Sequence, residues 1–160
     1  MKILFIQTGG TIDKDYPKTT KGYAFEINEP AFKRIFEKVK PEFDYEILTL
    51  MKKDSLEITD NDRENILQCC INSKPDKIII THGTDTIIET AKYLSGINNK
   101  VIILTGAAKP ERFNDSDAEF NLGTAVGAIN VLNNGVFIAM NGNVISQEKV
   151  KRDEITGIFS

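Results

Sequence analysis

Four short runs of this chain are apolar at every position rather than at every second one: Ile3-Leu4-Phe5-Ile6, Ile78-Ile79-Ile80, Val101-Ile102-Ile103-Leu104 and Val136-Phe137-Ile138-Ala139-Met140. Side chains of a strand point alternately to its two faces, so a run with no polar member is a strand buried on both. A sheet covered by helices on each side offers that environment, and such sheets are mainly parallel. Tyr45-Glu46-Ile47-Leu48-Thr49-Leu50 reads as a fifth, more mixed strand.

Helical patterns fill the intervals. Asn28-Glu29-Pro30 signals a start for Phe32, Ile35, Phe36 and Val39, which repeat at helical spacing, and Pro41 stops them. The charges Lys33, Arg34, Glu37 and Lys38 read as the solvated face of that helix. Thr59-Asp60-Asn61-Asp62 caps a second helix that buries Ile66, Leu67, Cys70 and Ile71. A third follows Gly83-Thr84-Asp85 with Ile87, Ile88, Ala91 and Leu94 inward, and a fourth starts near Asp115-Ser116 and ends at Asn133-Asn134-Gly135. The alternation predicts an α/β fold: a doubly wound, mainly parallel five-stranded sheet in flavodoxin-like order 2-1-3-4-5, helices on both faces. A chain of 160 residues is one domain, 1–160.

Twenty basic against 23 acidic side chains give −3, without the basic footprint of a nucleic-acid or anionic-membrane binder. The adjacent Cys69-Cys70 cannot staple distant segments, and with one histidine, His82, there is no metal-ligand set. The four apolar residues after Lys2 are too few for a secretory leader. The expected compartment is the cytoplasm, and no nucleic-acid or membrane partner is expected.

Ligands of an open α/β sheet bind beyond the carboxyl ends of its strands. Here those ends lead into Gln7-Thr8-Gly9-Gly10-Thr11, Lys52-Lys53-Asp54-Ser55, Thr81-His82-Gly83-Thr84-Asp85-Thr86 and Thr105-Gly106-Ala107-Ala108. Glycines at 9 and 10 allow close backbone approach, and Thr84-Asp85 at a helix start would present free N–H groups to an anion. The polar stretch from Gly9 to Asn28 is far longer than the usual connection and reads as a lid. His82 reads as a loop-fixing residue, and Glu89 and Thr90 as structural.

Thr8-Gly9-Gly10-Thr11-Ile12, paired with Thr81-His82-Gly83-Thr84-Asp85-Thr86-Ile87-Ile88-Glu89-Thr90-Ala91, resembles the two signatures of bacterial-type L-asparaginases. Asp54-Ser55, Thr105-Gly106-Ala107 and Phe120-Asn121-Leu122 add to the likeness. It runs over the whole chain and corresponds to the amino-terminal catalytic domain alone, as in short forms lacking the smaller carboxyl-terminal domain. The resemblance implies cofactor-free, metal-free hydrolysis of asparagine, sometimes glutamine, to the acid and ammonia, in a homodimer or higher homo-oligomer. It implies Thr11 as nucleophile, Tyr23 as the lid phenol that takes or relays its proton, and Thr84 and Asp85 as a second cluster with a cation. Asp54, Ser55 and Asp85 would hold the amino-acid substrate, Gly10, Gly83 and Ala107 would line the site, and Gly10 with the backbone around Thr84 and Ala107 would supply donors to the developing oxyanion.

The family's catalytic lysine falls, without gaps, on Arg152, with Lys151 immediately before it as the alternative. Arginine keeps the charge but cannot shuttle a proton. That departure sustains a second reading, a catalytically weak or inactive module that binds aspartate- or asparagine-like ligands. A nucleotide-binding reading is disfavoured, because Thr8-Gly9-Gly10-Thr11 matches neither G-x-G-x-x-G nor a lysine-bearing phosphate loop.

Overall fold

The computed structural model describes residues 2–16, 18–19, 22–23 and 25–160. Its sheet is built from β1 (Lys2–Gly9), β2 (Asp44–Lys53), β3 (Lys77–Thr81), β4 (Val101–Thr105), β5 (Gly135–Met140) and β6 (Asn143–Ser146). The spatial order is β2-β1-β3-β4-β5-β6. The first five strands run parallel, in the 2-1-3-4-5 order expected, and β6 is antiparallel to β5.

The sixth strand corrects the five-strand expectation. Asn141 (φ 54°) and Gly142 (φ 79°) form the two-residue turn of a hairpin, with Asn143 opposite Met140. Asn-Gly is the residue pair that such turns select, because both central positions need positive φ.

The fully apolar runs behave as their composition requires. Leu4, Ile6, Ile78, Ile80, Ile102 and Leu104 enter one core with Ile66 and Cys70 of α2 (Asp60–Asn72) and Ile87 and Ala91 of α3 (Ile87–Tyr93). Their sequence neighbours Ile3, Phe5, Ile79 and Ile103 enter the other. There they meet Phe32 and Phe36 of α1 (Ala31–Val39) and Leu122 of α4 (Ala118–Ala128). Two helices therefore cover each face. Phe5 centres an aromatic group, with Phe36 edge-on at 4.9 Å and Phe32 at 5.3 Å.

Several local expectations shift. Arg34 is buried rather than solvated, because the segment after β4 folds over α1: its Nε donates to Glu111 Oε2 at 2.6 Å and its Nη1 to the Glu29 carbonyl at 3.1 Å. Val39 and Ile71 lie mostly outside the core. α4 begins at Ala118 and ends at Ala128, shorter at both ends than its pattern suggested. Within the long connection after β1, Lys14–Asp15 pairs with Glu26–Ile27, and Lys18–Thr19 with Gly22–Tyr23.

Buried Lys100, just ahead of β4, ties that strand to the end of α2. Its Nζ donates to the carbonyls of Ser73 (2.7 Å) and Pro75 (3.0 Å). Lys100→Met would keep the aliphatic stem, take the ammonium donor from the Ser73 carbonyl and leave the Pro75 carbonyl only the 3.3 Å contact with Ser73 Oγ. We expect a loss of about 2 kcal/mol in urea denaturation, whereas an unchanged midpoint would mean that water replaces the ammonium without cost.

Candidate active site

The four strand exits converge, and glycine backbones are what let them meet. Gly10 (φ 85°) lies so close to the third exit that a Cβ on it would sit 2.3 Å from the Gly83 nitrogen. A Cβ on Gly83 would in turn sit 2.5 Å from Ser55 Cβ. The Gly10 N–H donates to the Lys53 carbonyl at 2.9 Å, which closes the irregular end of the β1–β2 ladder. Thr8 Oγ1 donates to the Thr81 carbonyl at 2.7 Å. Thr11 and Thr84 thus leave adjacent turns, both half-buried, and their side-chain hydroxyls have no hydrogen-bond partner among the described residues. Ala107 is buried against Ile12, Ala31 and Ala118, so the fourth exit packs on the Thr11 turn.

Thr84 and Asp85 are not at a helix start. α3 begins at Ile87 with Thr86 as its N-cap, and the pair lies in the preceding turn. The reason is local: Thr86 Oγ1 donates to the Ser55 carbonyl at 2.8 Å, which holds residue 86 outside the helix. The anion-binding argument from a helix terminus therefore does not apply to them.

Charge enters from two sides. Arg152 Nη1 donates to Asp85 Oδ1 at 2.9 Å and to the Thr84 carbonyl at 3.3 Å. The guanidinium rests over the Phe159 ring, 5.5 Å from its centroid, and residue 152 bridges residue 159. Lys151 is directed elsewhere: it is exposed, and its backbone pairs with Ser160. At the opposite rim Lys14 Nζ donates to Asp54 Oδ2 at 2.9 Å, and this ammonium holds the Asp54 carboxyl below the usual carboxylate range. Asp54 also caps the short turn Ser55–Glu57. The Tyr23 side chain lies outside the described residues; its backbone pairs with Lys18.

Behind the turns lie two buried titratable groups. Asp13 Oδ1 accepts from the Ala31 N–H at 2.7 Å and Oδ2 from Thr81 Oγ1 at 3.0 Å, joining the Thr11 turn to α1 and β3. Burial pushes its carboxyl up to about 6, although these hydrogen bonds oppose the rise. His82 Nε2 meets Thr90 Oγ1 at 2.9 Å, and that oxygen accepts from Arg63 Nε at 3.2 Å. With the guanidinium donating, Thr90 donates to Nε2, and the Nδ1–H of His82 donates to the Gly83 carbonyl at 2.8 Å. Burial, reinforced by the Arg63 charge, lowers His82 to about 4, so it is neutral and fixes the Gly83-Thr84 turn. Sequence reasoning placed His82 in this role but missed Asp13, Lys14 and Arg63; His82 lies in the turn before α3 and Thr90 within that helix, so no periodicity linked them.

The arrangement is a doubly wound α/β domain that gathers two hydroxyls, two carboxylates and two cations at the carboxyl ends of its parallel strands. Residues 2–157 match the family described as Asparaginase, N-terminal. The chain belongs to the asparaginase family. It is 30% identical over 165 residues to the L-asparaginase of Thermococcus kodakarensis (99% of this chain, 49% of that protein). It is 28% identical over 164 residues to the glutaminase-asparaginase of Pseudomonas fluorescens biotype A (94% and 45%). The solved structure of the thermostable Thermococcus enzyme superposes with a TM-score of 0.84 at 27% identity, covering 100% of this chain and 51% of that one. The chain spans about half the length of these relatives. Among the described residues no helix is long and apolar enough to cross a membrane.

Proposed function

We propose that this chain hydrolyses the side-chain amide of L-asparagine to L-aspartate and ammonia, with Thr11 as the nucleophile. The observation that carries the reading is the contact between the Gly10 and Gly83 backbones, which sets the Thr11 and Thr84 turns side by side with Arg152 on Asp85. In this reading Thr11 Oγ adds to the amide carbon while its proton passes to the lid, where Tyr23 relays it. Backbone N–H groups around Thr84 and at Ala107 face the oxygen on which negative charge develops; the Gly10 N–H, expected among these donors, is engaged by the Lys53 carbonyl, so Gly10 contributes close backbone approach instead. Collapse of the tetrahedral adduct breaks the C–N bond as nitrogen takes up a proton and leaves as ammonia. Water then cleaves the aspartyl ester and restores the Thr11 hydroxyl. Asp54, Ser55 and Asp85 hold the α-amino and α-carboxylate groups, with Lys14 and Arg152 balancing the carboxylates. Two free cysteines support a reducing, cytoplasmic setting.

Ammonia release from asparagine by the purified chain tests the proposal, and no release overturns it. A second reading draws support from Arg152: a guanidinium stays protonated, so the Thr84-Asp85 cluster has a fixed charge instead of a proton shuttle. Calorimetric binding of aspartate without asparagine turnover would establish that binding module instead. If the charge serves catalysis, Arg152→Met lowers kcat by about 10²-fold and Arg152→Lys restores most of it. Equal rates in the two variants would remove Arg152 from the reaction.

A further inference from the structure

We propose that the free edge of β2 is a homodimer interface, at which two copies of this chain pair their β2 strands antiparallel across a twofold axis and continue one sheet through both. β2 is the longest strand, ten residues, and it closes one side of the sheet with no strand beyond it among the described residues. Proteins usually protect such an edge by shortness, proline or charge in its middle. The opposite edge, β6, follows that rule with four residues. β2 does not: Tyr45 near its start and Ile47 and Leu48 in its middle are 39–40% exposed, on a strand free of proline.

The charges say which partner fits. Asp44 and Glu46 stand at the start of the strand and Lys52 and Lys53 at its end. Within the chain Glu46 pairs with Lys2 (2.5 Å), both groups about half-exposed, and Lys53 with Asp62 (2.7 Å), whereas Asp44 and Lys52 form no ion pair among the described residues. A parallel copy would set like charges side by side. An antiparallel copy sets each acidic start against the basic end of its partner, twice, and brings the apolar middles together. A twofold axis requires that antiparallel arrangement. Hollows of about 510 and 480 Å³ flank the edge, one lined by Leu4, Ile47, Leu48 and Cys69 and the other by Pro30, Ile47 and Thr49. They leave room beside the strand for a partner's side chains.

Sedimentation velocity of the full chain tests the proposal, with circular dichroism to show that each variant is folded. The wild type is expected at twice the mass of one chain. Glu46→Lys and Lys52→Glu, both at exposed positions, each place like charges opposite one another, and each should raise the dimer dissociation constant at least about tenfold. An equimolar mixture of the two variants restores opposite charges at both ends and should sediment as a heterodimer. A monomeric wild type overturns the proposal. So does a dimer indifferent to both substitutions, a mixture that stays monomeric, or an open series of larger species.

Discussion

Thr11→Ala is expected to lower kcat for asparagine by at least about 10³-fold while leaving thermal stability within about 0.5 kcal/mol of wild type. The two halves of the expectation have separate causes. In the proposed mechanism, removing the attacking oxygen removes the covalent route, and the residual rate is whatever binding and backbone donors provide. The fold loses little, because the Thr11 hydroxyl has no hydrogen-bond partner among the described residues and the residue is only half-buried. Hydroxylamine, which intercepts acyl esters, should yield aspartyl hydroxamate with wild type and not with the variant. Unreduced ammonia release from Thr11→Ala would transfer the nucleophile to another group, and Thr84 would be the first to examine. A variant that loses activity and stability together would mean that the hydroxyl is a structural part of the turn.

Stability between pH 4 and 6.5 should tilt in opposite directions when Asp13 and His82 are replaced one at a time. Asp13 titrates at about 6 in the folded chain against 3.8 unfolded, so the folded state holds its proton more tightly. Its contribution is fully present below pH 3.8 and is lost as pH rises through about 6, a change of about 3 kcal/mol. His82 titrates at about 4 folded against 6.5 unfolded, so the unfolded chain takes the proton first. Its contribution is fully present above pH 6.5 and is lost as pH falls through about 4, again about 3 kcal/mol. In the wild type the two slopes offset one another across most of that window. Asp13→Asn leaves the histidine slope, and urea midpoints should fall on acidification; His82→Asn leaves the carboxyl slope, and they should rise. Parallel profiles in the two variants would show that one group is not buried as described. His82 is the single histidine of the chain, so its imidazole resonances report its titration directly.

The parallel sheet was legible because its strands are apolar throughout, which leaves few architectures, and the strand order followed from the connections. β6 was not read, although Asn141-Gly142 announced a hairpin, because Asn143-Val144-Ile145-Ser146 is short and mixed. Arg34 was assigned to the solvent because helical period shows which side of α1 meets the sheet but not that Glu111, 77 residues away, will cover the other. Asp13 escaped notice for the same reason: nothing local marks a carboxylate that distant segments will seal from water. Asp85 and Thr86 can each cap a helix, and only the Thr86 contact with Ser55 shows where α3 starts. Arg152 reaches Thr84 and Asp85 across 68 and 67 residues of chain, a contact that numbering cannot choose over Lys151.

The glycine contact between residues 10 and 83 has a consequence for redesign. One wall of the gap between the two turns is main chain from neighbouring strands, whose separation the hydrogen-bond ladder fixes at about 4.8 Å. That wall cannot be moved by exchanging side chains. If the gap holds the proposed amide substrate, attempts to admit a longer or bulkier one would therefore have to act from the Lys14 and Arg152 rims, where charged arms form ion pairs with Asp54 and Asp85. The floor is inherited from the architecture, and the selectivity of the site is adjustable only around its margin.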